Sequence, residues 1–206
     1  MGTHDRTELF DDWAASYDDT VAQSHGFPFT GYDAVLATVV AAAGAGQGTT
    51  VLDLGCGTGM LTRLVVDQGS VVLGTDFSSR MIAQARVAVP EATNIELDLL
   101  GNWAALDGRR FSRIVSTYVL LECDLRAKVQ ILQTLARDHL VAGGRIVIGD
   151  LAFATTRQME HERSRSGADW DPAEHYWVAP RRWRRWPLPA STVRFKRYRL
   201  APASLS

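Results

Sequence analysis

Between Val51 and Met60 the chain reads VLDLGCGTGM, an apolar run that turns into Gly55, Gly57 and Gly59 with Cys56 and Thr58 between them. Glycines at this spacing let a ligand lie against bare backbone. A dinucleotide loop follows G-x-G-x-x-G, with a third glycine that lets helix pack on strand. Here Met60 stands at that place. A phosphate-binding loop needs four residues between its glycines and then Gly-Lys-Ser/Thr, which the stretch lacks. The loop offers close backbone approach without phosphate chemistry.

Other residue types with chemical potential are scattered. Asp53, Asp76, Asp98 and Asp150 each stand in or beside the end of a strand-like run, which suits a ligand with ribose hydroxyls and amino groups. Candidates for a catalytic base are Tyr17, Tyr118, Glu122, Asp150 and His175, but none has a diagnostic spacing, so no catalytic residue is assigned. In GADWDPAEHYW, Asp169, Asp171, Glu174 and His175 read as an acidic loop. No second cluster completes a metal shell, so no metal is expected. His4, His25, His139 and His161 have no partners in sequence and read as surface positions.

The elements that must position these groups alternate. VLDL, VVLGTD, NIELDL, RIVSTYV and GRIVIGD are short β-branched runs of strand type. MLTRLVVDQG carries Leu61, Leu64 and Val65 on one helical face and stops at Gly69. SSRMIAQARVAVP has a serine cap at 78 or 79 and a face of Met81, Ile82, Ala85 and Val89, and ends at Pro90. LRAKVQILQTLARDHL starts behind Asp124 as cap and repeats Leu125, Val129, Leu132 and Ala136. The pattern predicts an α/β fold with a Rossmann-like, doubly wound, mostly parallel sheet and helices on both faces. Ligands of such sheets bind beyond the carboxyl ends of the strands.

These residues resemble the class I, Rossmann-like S-adenosylmethionine-dependent methyltransferases, of small-molecule type, over roughly residues 8 to 155. LDLGCGTG is similar to the family's first motif. The resemblance implies that Gly55, Cys56, Gly57 and Gly59 lie against the methionine end of S-adenosyl-L-methionine, with Asp53 near its amino group. It implies Asp76 on the ribose diol, Phe77 and Met81 over the adenine, Asp98 on the adenine amino group and Leu99 offering a backbone N–H. FSRIVSTYVL is similar to the fourth motif, with Ser116 and Thr117 beside the methionyl chain and Tyr118 near the departing methyl. FDDWAASYDDT spaces Phe10, Trp13, Ala14 and Tyr17 on one helical face. It resembles a segment that lids the cofactor, with Trp13 and Tyr17 closing over the methionyl group; the other reading is a packing helix.

Three stretches depart from that pattern. In YVLLEC, Leu121 and Glu122 stand where related small-molecule members often carry histidines, and Glu122 reads as a solvated loop residue rather than a buried base. Ser112 stands where the family commonly has Asp, a change expected to affect a strand start more than the site. The family completes its sheet with an antiparallel hairpin, whereas STVRFKRYRL supplies at most one strand, so the C-terminal antiparallel strands are expected to be atypical or incomplete. The expected organisation is a helical lid or cap over 1–45, a cofactor-binding core over 46–152, and an acceptor-side segment with a basic tail over 153–206.

Composition sets the remaining expectations. The 206 residues are 46% hydrophobic and 22% charged, with net charge -1, as in an ordinary globular protein. Residues 181–206 carry eight Lys or Arg and no acid, leaving 14 basic against 23 acidic residues elsewhere. RRWRRW in that tail mixes cations with aromatics, so an RNA or other nucleic-acid acceptor is an alternative. The end of strand four is STYV and lacks the Asn/Asp-Pro-Pro-aromatic motif of nucleobase amine methylation, which favours a small-molecule acceptor. A non-catalytic S-adenosylmethionine-binding protein is the alternative from another class. The longest apolar run, Ala34 to Ala43, is too short to span a bilayer, so no membrane partner is expected. With no secretory-type start and only two cysteines, a cytoplasmic protein is expected. The sequence leaves the oligomeric state open.

Overall fold

The computed structural model describes residues 3–24 and 26–178 and the short strand at 193–195. Helices α1 (Thr3–Trp13) and α2 (Tyr17–Gln23) precede α3 (Tyr32–Ala43). The alternating part follows as β1 (Thr50–Leu54), α4 (Met60–Val66), β2 (Val71–Asp76), α5 (Ser79–Ala88), β3 (Thr93–Glu96), β4 (Phe111–Thr117), α6 (Leu125–Thr134) and β5 (Leu140–Gly149). Then come β6 (Ala152–Phe153), α7 (Thr156–Ser166), β7 (Trp177–Val178) and β8 (Val193–Phe195). All five strand-like runs form strands.

The main sheet has the order β3-β2-β1-β4-β5-β8, and every pair is parallel. The last described strand thus lies parallel on the edge of β5. That is the atypical end of the sheet: a strand in the expected place, but parallel. The rest of the basic tail, RRWRRW included, lies outside the described residues.

Strand residues alternate between two cores. Leu52, Leu54, Leu73, Ile114, Ile146 and Ile148 face Ile131 and Leu132 of α6. Val51, Val72, Val115 and Val147 face Val35, Leu36 and Val39 of α3 and Leu61 and Val65 of α4. A period of two with both faces covered is why these strands read as nearly unbroken apolar runs.

Two predicted helix faces shift. In α4 Leu64 is exposed and Thr62 is fully buried, because the Thr62 hydroxyl donates to Asp53 Oδ2 at 2.6 Å. In α6 Leu125 is 62% exposed while Lys128 is buried with Ile131 and Leu132. The Lys128 ammonium donates to the His175 carbonyl and lies 4.3 Å from the centroid of the Trp177 ring, so a cation–π contact and a hydrogen bond replace its hydration. His139, expected at the surface, is also buried; its Nδ1 meets the Arg109 carbonyl at 3.1 Å beside Trp103. Ser112 exchanges hydrogen bonds with Thr50 at the starts of β1 and β4, so it acts on a strand start as expected.

Where α3 crosses β5 there is no room for a side chain at Gly149. A Cβ there would stand 2.7 Å from Val39 and 2.9 Å from Val35, both stiff at χ1. Gly149→Ala is expected to lower the unfolding free energy by about 1–3 kcal/mol, read as a lower midpoint in urea at unchanged slope.

Candidate functional site

The strand order reverses between β1 and β4, and the crevice at that switch point is where a parallel sheet leaves room for a ligand. A cavity lies there, walled by the loops after β1, β2, β3 and β4 and by the N-terminal helices.

The three glycines do different work. All have positive φ, 65° at Gly55, 54° at Gly57 and 99° at Gly59, a region that favours glycine. A Cβ on Gly55 would stand 2.2 Å from Val119, so this glycine lets the loops after β1 and β4 touch across the crevice. Gly59 is backed by Val89 and Ala85 of the α5 region. Gly57 faces open space and supplies the bare backbone.

Asp76 fixes the loop. Its Oδ2 accepts from the Gly57 N–H and its Oδ1 from the Ser78 N–H, both at 2.9 Å. Burial pushes its pKa up, against those backbone hydrogen bonds, which lower it. Ser78 also caps α5, accepting from the Met81 N–H at 3.1 Å, and so aims Phe77 and Met81 into the cavity wall.

Asp53 lies beneath the loop, 1% exposed. One oxygen is held by Thr62, and Oδ1 is buried without a hydrogen-bond partner. Burial raises its pKa to about 7, opposed by the Thr62 bond and aided by the charge of Asp76. An orphaned carboxylate oxygen is a place waiting for a donor. With the carboxylate of Asp76 and bare Gly57 beside it, the site fits a ligand with an ammonium and hydroxyl groups.

The N-terminal helices cover this cavity. Phe10 and Tyr17 line it, and Phe10 meets Phe77 edge-on with centroids 5.3 Å apart. Polar links tie the cover to the loops: Ser78 donates its hydroxyl to Asp11, Thr58 to Asp18 at 2.6 Å, and Arg80 pairs with Asp12 at 3.3 Å. Arg6 donates to Glu122 Oε2 and, at 2.8 Å, to Asp171.

Of the residues expected at the site, the cavity brings together Tyr17, Gly55, Cys56, Gly57, Asp76, Phe77, Met81 and Leu99. Trp13 is outside the wall, in a ring cluster with Phe10, Tyr17 and Phe29. Asp53 and Gly59 stand behind the wall. Asp98 is exposed and accepts from the Leu100 N–H. Ser116 is buried and donates to the Leu54 carbonyl at 2.9 Å, while its neighbour Thr117 lines the cavity.

Sequence reasoning missed Tyr32, which lines the cavity from the start of α3, stacks on Tyr118 at 5.1 Å and is hydrogen-bonded to Tyr17. Burial lifts the Tyr17 hydroxyl to about 12, opposed by the Tyr32 bond, and lifts that of Tyr32 well above the usual phenol range. Tyr118 holds φ at 56°, a conformation costly for a bulky residue and concentrated at functional sites. Glu122 is half-buried in the wall and gripped by Arg6, not a solvated loop residue.

The raised Asp53 pKa makes ligand-free stability pH-dependent. Between the unfolded value of 3.8 and the folded value of about 7 the native state binds the extra proton, so this group's contribution is lost as pH rises through that window. Asp53→Asn is expected to flatten the fall in unfolding free energy between pH 4 and 8, by something on the order of 4 kcal/mol. Urea titrations of both proteins across that range would show it.

A family model described as "Methyltransferase domain" matches residues 51–144. An uncharacterized methyltransferase of Anoxybacillus flavithermus is 31% identical over 159 residues, spanning 74% of this chain and 70% of that one. The uncharacterized methyltransferase YrrT of Halobacillus halophilus is 32% identical over 150 residues, spanning 71% and 67%. Among solved structures, a TehB-like SAM-dependent methyltransferase from Corynebacterium glutamicum matches with TM-score 0.55 and 26% identity over 78% of this chain and 83% of that one. With its glycine loop, the aspartate after β2 and the crevice at the β1/β4 switch point, the chain belongs to the class I S-adenosylmethionine-dependent methyltransferases.

Proposed function

We propose that this methyltransferase moves the sulfonium methyl to a nucleophile on a small molecule by in-line displacement. The observation that carries the reading is the cover: α1 and α2 lie over the crevice through Phe10 and Tyr17, leaving a partly covered cavity suited to a small acceptor rather than a polymer.

When bound, S-adenosylmethionine supplies an electrophilic methyl on a positively charged sulfur. The chain's own residues divide the holding of it. Asp76 is assigned the ribose hydroxyls, since each of its oxygens keeps a lone pair beyond its backbone bond. Phe77, Met81, Leu97 and Leu99 offer an apolar bed for the adenine, and the unpartnered oxygen of Asp53 favours the ammonium. Tyr17, Tyr32 and Tyr118 border the acceptor side.

Holding both reactants in line can supply on the order of 7–11 kcal/mol of barrier reduction. The lid excludes water from the encounter. Tyr17 and Tyr32, with raised pKa values, stay protonated at neutral pH and act as neutral walls and hydrogen-bonding groups. The buried free thiols of Cys56 and Cys123 suit the reducing cytoplasm, where we place the protein.

Calorimetric titration tests the assignment. S-adenosylmethionine and S-adenosylhomocysteine are expected to bind in the micromolar range and NAD not at all. Asp76→Ala is expected to weaken both sulfur ligands by about 10- to 100-fold; unchanged affinity would remove Asp76 from the ribose.

A further inference from the structure

The acceptor side of the same cavity narrows the acceptor chemistry, and the argument rests on the small-molecule reading above. Tyr17, Tyr32 and Tyr118 line the cavity as a connected group, Tyr17 hydrogen-bonded to Tyr32 and Tyr32 stacked on Tyr118, and the carboxylate of Glu122 lines it too. The cavity wall contains no Lys, Arg or His among the described residues. Arg6 stands behind Glu122 with its charge committed: Nε and Nη2 donate to Glu122 Oε2, and Nη1 donates to Asp171. Glu122 Oε1 takes no hydrogen bond among the described residues.

Each class of nucleophile makes a different demand on such a wall. A carboxylate or phosphate acceptor would be buried beside Glu122 with no cationic side chain in the wall to compensate it. A thiol attacks as thiolate, which needs a neighbouring cation or helix N-terminus to lower its pKa. A hydroxyl must give up its proton as its bond to carbon forms, and a carboxylate is a weak base for that task; the two buried phenols are themselves protonated. A neutral amine already presents its lone pair. Its N–H needs only an acceptor, and its carbon skeleton needs an apolar bed.

We propose that the acceptor is a small primary or secondary amine, which gives the proton of its ammonium form to water and enters uncharged, with its N–H received by Glu122 Oε1 and its skeleton against the three tyrosine rings. The nitrogen lone pair forms the new N–C bond while the C–S bond breaks, and that bond's electron pair stays on sulfur as a neutral thioether. Nitrogen leaves the step as an ammonium. One N–H of that ammonium stays hydrogen-bonded to Glu122 Oε1, and the extra proton passes from nitrogen to solvent once the product has left.

The test uses the full chain with S-adenosylmethionine and a panel of butylamine, benzylamine, phenethylamine and N-methylbenzylamine, beside benzyl alcohol, benzyl mercaptan and benzoate. Mass spectrometry reads methylated product and S-adenosylhomocysteine. Calorimetry reads benzylamine binding to protein saturated with S-adenosylhomocysteine. Transfer to amines alone is expected. Glu122→Gln is expected to raise the amine KM and weaken benzylamine binding by about 10- to 100-fold, with S-adenosylhomocysteine affinity unchanged. Arg6→Gln, which cuts the tether but keeps the carboxylate, is expected to retain the preference for amines.

Preferred transfer to the alcohol, thiol or carboxylate overturns the amine assignment and leaves the small-molecule reading standing. An equal loss of benzylamine binding in both variants also overturns it, since the effect would then come through the lid. So does S-adenosylhomocysteine binding with neither amine transfer nor benzylamine binding. Failure of folded protein to bind either sulfur ligand defeats the cofactor-site reading itself, and this inference with it.

Discussion

One carboxylate holds the site in register. Asp76 takes the Gly57 N–H on one oxygen and the Ser78 N–H on the other, joining the loop after β1 to the start of α5. Ser78 in turn accepts from Met81 and donates to Asp11 of the lid. Three segments far apart in sequence, the lid, the glycine loop and the second helical cap, thus converge on the end of β2. Within the loop the Cys56 N–H goes to the Thr75 carbonyl and the Gly59 N–H to the Cys56 carbonyl; the Gly57 N–H goes to Asp76, and without that carboxylate it would lose its acceptor.

The cover is held differently from the core beneath it. The two sheet faces are packed by Leu, Ile and Val with almost no solvent access. The lid is fastened by aromatic edges and by side-chain bonds from Asp11, Asp18 and Arg6. Water can replace such polar links, and each contributes only about 0.5–3 kcal/mol net.

What the sequence revealed was local. The glycine loop, the Ser78 and Asp124 caps and the Met81, Ile82, Ala85 and Val89 face all depend on residues within one turn or loop of each other, and the structure has them as read. The glycine spacing and the aspartate about 20 residues on could be read together because β1 and β2 are neighbours. Tyr32, the Arg6 grip on Glu122 and the burial of Lys128 depend on partners many tens of residues away, which no period or spacing announces. The exchange of Leu64 for Thr62 has the same cause: hydrophobicity alone favours leucine, but the buried Asp53 on a neighbouring strand needs a donor. Trp13 and Ser116, which the motifs place against the cofactor, lie outside the cavity wall, held by ring packing on Tyr17 and by a hydrogen bond to the Leu54 carbonyl.

The charges left incomplete give the site its direction. Asp53 and Asp76 are both buried, burial raises the pKa of both, and the charge of Asp76 adds to the cost of ionising Asp53. A carboxyl in this state destabilises the folded protein at neutral pH until something positive or hydrogen-donating arrives. The cofactor carries an ammonium, a sulfonium and a ribose diol, the groups that such a pair lacks. On the proposed assignment, binding completes the polar interior as well as occupying it, and the free energy withheld from the empty fold becomes available as affinity.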